Sequence, residues 1–213
     1  MKKTVLFFAA MFLCILIFGQ EENVQIPAKD DDGIHTILGD VHSYGGYGAF
    51  TMNYTEIDGK EGMSIGGRGG LIIGHGLTIG LGGYGFFNDY YYDPYLFENV
   101  NIEGGYGGFF LEPIILPKFP VHLAFPVFFG AGGVAYMSDN YYNDYDEWES
   151  DVRDSDAFLV VEPGVELELN LLKFFRISFG ASYRYTTDIN LMNTKKDVLN
   201  GLSTGITFKL GGF

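Results

Sequence analysis

Between residues 39 and 213 the chain repeats one pattern eight times: apolar residues alternate with small or polar ones at a period of two. The clearest case is "FFRISFGASYRYT", residues 174–186. Phe175, Ile177, Phe179, Ala181, Tyr183 and Tyr185 fall on one face of an extended chain, and Arg176, Ser178, Gly180, Ser182, Arg184 and Thr186 on the other. Period-two alternation is the signature of a strand with unlike faces. The segments are roughly 42–55, 62–73, 77–87, 99–111, 122–136, 157–169, 174–187 and 199–211, and no segment carries a sustained helical stripe. The fold class is therefore all-β.

Two architectures satisfy such strands. In a water-soluble sandwich the apolar faces meet and the polar faces are wet. In a closed transmembrane barrel the apolar faces meet lipid and the polar faces fill the interior. Here the polar faces are rich in Gly and Ser with isolated charges of both signs, which suits a narrow interior better than a wet surface. Eight strands is also the size whose interior side chains just fill. The expectation is an eight-stranded antiparallel up-and-down transmembrane β-barrel.

Its inward charges are then Glu103, Glu162, Glu166 and Glu168 against Arg68, Arg176, Arg184 and Lys209. An unpaired charge in so confined a space is costly, so a balanced set predicts an internal ion-pair network that plugs the lumen. If residues 171–173 make the turn, Glu168 sits directly across from Arg176. The alternative is that the same charges line water, giving a narrow porin-like channel. Segments 77–87 and 122–136 are apolar on both faces, and their orientation stays open.

The connections divide into two sets. "EIDGKEG", "NDYYYDPYLFE", "MSDNYYNDYDEWESDVRDSD" and "DINLMNTKKDV" are polar and mostly long. "GHG", "EPIILPKFP" and "NLLK" are tight or Pro-bounded. One end of the barrel is elaborated and the other trimmed, as long extracellular loops and short periplasmic turns would be. Ahead of the barrel, "MKKTVLFFAAMFLCILIFGQ" has two lysines, an apolar run and a small-residue break. That run, about 15 residues, is short for a spanning helix and has the layout of a secretory signal. The expected organisation is a signal peptide at 1–20, a flexible periplasmic lead-in at 21–38 and the barrel at 39–213. Cys14, the sole cysteine, falls in the signal, so the exported chain relies on backbone pairing and burial without disulfides.

A net charge of -14 excludes a nucleic-acid footprint. Half of it sits in residues 137–156, where eight acidic residues face Arg153 alone among Tyr141, Tyr142, Tyr145 and Trp148. Asp139, Asp144, Asp146, Glu147, Glu149 and Asp151 form a candidate surface for a divalent cation or a partner. Their spacing lacks the turn glycine of an EF-hand, so no metal site is assigned. The Gly-rich strings "GGYGAF" and "IGGRGGLIIGHG" precede no helix and do not read as phosphate loops. His42, His75 and His122 fall at the trimmed end and His35 before the barrel, which leaves a hydrolytic site at the outer leaflet without a base. No enzyme activity and no cofactor are expected.

The phrases "FPVFFGAGGVAY" and "EPGVELELNLLKFFRISFGASYRYT", the eight amphipathic strands and Phe213 resemble the small eight-stranded outer-membrane barrels of Gram-negative bacteria, the OmpA/OmpX-like group. The resemblance implies a monomer in outer-membrane lipid, serving envelope structure, surface contact or weak conduction. One departure stands out. Ile206, Phe208 and Leu210 share an apolar phase that Phe213 breaks. Either Gly211-Gly212 makes a bulge that restores the phase, or Phe213 has another task.

Overall fold

The structure, a computed structural model, describes residues 44–141 and 148–213, the side chains of 139–151 excepted. The signal, the lead-in and residues 142–147 lie outside the described residues. Ten segments follow in order: β1 (Tyr44–Ile57), β2 (Lys60–Ile73), β3 (Leu77–Asn88), β4 (Tyr91–Asp93), β5 (Glu98–Ile115), β6 (Val121–Ala124), β7 (Val127–Tyr141), β8 (Trp148–Leu172), β9 (Phe175–Thr186) and β10 (Gly201–Gly212).

Eight of them close a ring. Each strand pairs antiparallel with its predecessor, and β1 pairs with both β2 and β10. Closure leaves no edge, which is what lets strands cross lipid with every backbone group paired. β4 extends the β3–β5 hairpin, and β6 runs on into β7 after a break at Phe125-Pro126. The break keeps its ladder: Phe125 N–H donates to Pro113 O at 2.9 Å, and Gly164 N–H to Pro126 O at 2.7 Å.

The first connection is tighter than its sequence implies. Asp58 and Gly59 both take positive φ, 53° and 69°, and join β1 to β2 in two residues. Asp-Gly suits such a hairpin because both central residues must be left-handed.

Odd positions of β2, β3, β5, β7, β9 and, from Ser155 on, β8 point outward, and even positions of β1 and β10; the register shift opposite Tyr136/Met137 turns Val152 outward as well. Phe50, Ile65, Leu81, Phe109, Leu159, Phe179 and Leu210 form the exposed apolar belt that meets lipid. The inner face is less polar than the alternation predicts. Phe86, Phe110, Phe128, Val134, Tyr136 and Phe158 all point inward and are buried. Phe86, Phe128, Val134 and Tyr136 come from the two segments whose faces are both apolar, where period two carries no phase, while Phe110 and Phe158 come from β5 and β8. Several inward glycines make room for these rings; a Cβ on Gly66 would be driven into Tyr84, and one on Gly104 would meet Phe86 at 2.8 Å.

Candidate functional site: a lumen closed in two layers

Near the trimmed end, charges from five strands meet. Lys209 on β10 is fully buried, and its Nζ donates to both oxygens of Glu112 at 3.0 and 2.9 Å and to Glu168 Oε1. Glu166 Oε2 lies 3.2 Å from the same ammonium. Arg68 Nη2 reaches Glu166 at 2.6 Å and Glu112 Oε2 at 3.1 Å. Arg176 Nη1 lies 3.4 Å from Glu168 Oε2, and His122 Nε2 lies 2.9 Å from that oxygen. Tyr47 O–H donates to Glu112 Oε1 at 2.9 Å.

Three carboxylates thus face three permanent cations, with His122 at the margin. The oxygens of Glu112, Glu166 and Glu168 lie within 4.8 Å of one another, the spacing of a cation site. Lys209 contacts all three, so the ammonium serves as that cation. Arg176 lies flat on the Phe213 ring at 3.7 Å, and Phe213 stacks on Tyr47 at 5.9 Å between centroids. β10 pairs with β1 in unbroken register through Gly211 and Gly212, so no bulge shifts the phase. Phe213 belongs to the inward series and closes the bottom of the lumen.

The second layer is apolar. Phe86, Tyr106, Phe128 and Phe158 pack ring on ring, with Tyr106 5.6 Å from Phe128 and 6.3 Å from Phe158. Over them lies the connection 187–200, whose Ile189, Leu191, Val198 and Leu199 are buried in the barrel mouth. Asn190 and Met192 N–H donate to Asp156 and Asp154 at 2.8 and 2.7 Å, and Asp58 N–H to Val198 O at 3.2 Å. The connection is a lid held by its own backbone.

Between the layers lies a cavity of about 40 Å³ lined by Arg68, Glu162, Glu166, Ser182 and Thr207, among others. At roughly 10–15 Å³ per water it holds about three or four. Glu162 accepts from Tyr106 O–H and Ser182 O–H, both at 2.5 Å. Arg184 is fully buried under the lid; its Nε donates to Leu199 O at 2.8 Å, its Cζ lies 5.0 Å from the Phe86 ring, and neither Nη finds a partner among the described residues.

Seven of the eight expected lumen residues therefore point inward, and five of them (Arg68, Glu166, Glu168, Arg176 and Lys209) meet in one cluster. Glu103 does not: it is exposed on the outer face, and Glu112 takes the inward role. On β5 the apolar Val100, Ile102, Tyr106 and Phe110 share the even face with Glu112 and turn inward, the reverse of what alternation against lipid predicts, and β5 runs three residues past Glu112, which the sequence reads as turn. Glu168 is not directly across from Arg176 either. β8 runs on to Leu172 and the turn is 173–174, so Glu168 pairs with Ser178 and Asn170 with Arg176, leaving Glu168 and Arg176 diagonal; the bulge at Asn170/Leu172 keeps the two on one face. His122 is buried in the lumen and bonded to Glu168, while His75 sits on a turn; His35 and His42 lie outside the described residues. So do the side chains of Asp139, Asp144, Asp146, Glu147, Glu149 and Asp151.

No family model matches the sequence. No curated protein matches it. Solved structures do match in fold. Neisserial surface protein A is 14% identical with a TM-score of 0.50, over 78% of this chain and 96% of that one. Ail of Yersinia pestis is 12% identical (TM-score 0.46; 78% of this chain, 98% of that one). The N-terminal barrel of Pseudomonas aeruginosa OprF is 12% identical (TM-score 0.41; 79% and 96%). The chain has the fold of the small eight-stranded outer-membrane barrels.

Proposed function

We propose that this outer-membrane barrel is a non-conducting, non-enzymatic scaffold that serves envelope structure or surface contact through its acidic, Tyr-rich extracellular loops. The observation that carries the reading is the double closure of the lumen. An ion crossing it would have to part the Lys209 cluster and then the aromatic layer with its lid. Parting a buried, hydrogen-bonded ion pair costs several kcal/mol, which makes the closed state the resting one. The non-enzymatic part rests on the histidines: among the described residues, His75 and His122 are both at the periplasmic end, away from the outer leaflet.

A narrow channel is the second reading, and the polar cavity between the layers is what favours it. Planar-bilayer recording on refolded protein separates the two, with insertion verified by heat-modifiable gel mobility. Inserted, electrically silent protein supports the scaffold. Steady conductance that changes ion selectivity on Arg176→Gln supports the channel and removes the scaffold reading.

A further inference from the structure

We propose that the periplasmic mouth of the barrel is a phosphate-binding cleft that takes the headgroup of an inner-leaflet anionic phospholipid. The proposal is independent of whether the lumen conducts.

A cleft of about 680 Å³ opens at this end, and His75, Lys118, Lys173 and Arg176 form part of its wall. The three turns here, 74–76, 116–120 and 173–174, contain two lysines and a histidine and not one Asp or Glu, although the whole chain carries -14. The nearest side-chain carboxylates, Glu112 and Glu168, are fully buried and already matched by Lys209, Arg68 and Arg176, and the α-carboxylate of Phe213 in the cleft wall offsets only one of the two lysines. The field at the mouth is therefore positive.

Arg176 adds a second observation. It is only 7% exposed, yet its Nε–H has no hydrogen-bond partner among the described residues. One side of the guanidinium reaches Glu168 and His122, each at a long 3.4 Å, and its face lies on Phe213. A guanidinium presents five donors in a rigid fork and pairs with phosphate oxygens in a planar, bidentate way. Burying one with a donor unmet is unfavourable, and the guanidinium places a fixed positive charge in the cleft wall.

The cleft is also built. Leu116 takes a positive φ of 57°, Phe119 N–H closes the turn onto Leu116 O at 3.0 Å, and Asn170 Nδ2 donates to Phe119 O at 2.9 Å. Turn 116–120 and the end of β8 are thereby tied together, which fixes the backbones that carry Lys118 and Lys173. Leu171 and Leu172, both about half exposed, line the same cleft. Cations beside an exposed apolar wall suit a headgroup with its acyl chains better than a free anion.

The test uses the full chain in an alkyl maltoside, a detergent without phosphate. Dihexanoyl phosphatidylglycerol, kept below its micelle concentration, and inorganic phosphate are titrated separately with ³¹P NMR as readout. Saturable lipid binding is expected. It should weaken about tenfold or more in Lys118→Glu/Lys173→Glu, as two reversed surface charges would give. Lys196→Glu, on the extracellular lid, should leave it unchanged. Heat-modifiable mobility verifies that both variants fold. Non-saturable binding, or equal binding by the double variant, would overturn the site. Inorganic phosphate competing at equal concentration would overturn the lipid assignment and leave a free-phosphate site.

Discussion

Lys209 and Glu112 stand 97 positions apart in sequence and meet at 2.9 Å in the centre of the lumen, each fully buried. Lys209 also contacts Glu166 and Glu168, so one ammonium holds three carboxylates. Lys209→Met should therefore cost about 3–5 kcal/mol, the usual result of leaving a buried charge unmatched. Urea unfolding in lipid vesicles measures it. Adding Glu112→Gln to that variant should recover part of the loss, and simple additivity of the two changes would argue against direct coupling.

Glu103 and Glu112 lie on opposite faces of β5, so the same substitution has opposite expectations. Glu103→Gln should change stability by no more than about 0.5 kcal/mol, as befits an exposed side chain. Glu112→Gln should cost on the order of 3 kcal/mol by leaving the buried Lys209, Arg68 and Arg176 with two carboxylates between them. The reverse order would mean that β5 is out of phase by one residue.

Arg184 is buried with both Nη groups unmatched among the described residues, unlike Lys209. Arg184→Met removes a poorly satisfied charge and keeps most of the volume. It should lie within about 1 kcal/mol of the parent, since well-packed apolar replacements of buried charges are often neutral or stabilising. A loss as large as that of Lys209→Met would show that Arg184 has a strong partner after all.

Asp93 organises the turn between β4 and β5. Tyr136 O–H donates to Oδ2 at 2.7 Å, and Tyr95 and Leu96 N–H donate to Oδ1 at 2.7 and 3.3 Å. Tyr136 first, and then these backbone donors, hold the carboxyl below its ordinary value of 3.8. A depressed folded value means the stabilisation is complete above the ordinary value and disappears as pH falls through the lower one. Hydrogen exchange over 91–97 should therefore accelerate in acid below about pH 4, a step that Asp93→Asn abolishes. An unchanged step in the variant would assign it to another group.

Glycines on the two faces should respond differently. A Cβ at inward Gly205 would be driven into the Met52 carbonyl and the Asn53 side chain, whereas at outward Gly48 it meets nothing within 4 Å. Gly205→Ala should cost about 1–3 kcal/mol through overpacking. Gly48→Ala should be neutral or slightly stabilising, because alanine restricts the unfolded chain. Refolding yield and urea midpoints compare them directly.

By itself the sequence determined the strands, their number, and which face of β2, β8, β9 and β10 meets lipid. Those properties are local: alternation between unlike residues on one strand is enough to orient it. It also placed Arg68, Glu166, Glu168, Arg176 and Lys209 together on the inner side. Only the tertiary structure decided the rest. On β3 and β7, where both faces are apolar, alternation carries no phase; on β5 the more apolar face packs inside the barrel, and the register imposed by closing the ring turns Glu112 inward and Glu103 outward. Which charges touch depends on how eight strands stagger around the barrel, so Lys209 meets Glu112 from the far side of the ring while the run of β8 to Leu172 moves Glu168 off Arg176. The lid shows the same limit. Ile189, Leu191, Val198 and Leu199 look like stray apolar residues in a polar connection until closure creates the mouth they fill.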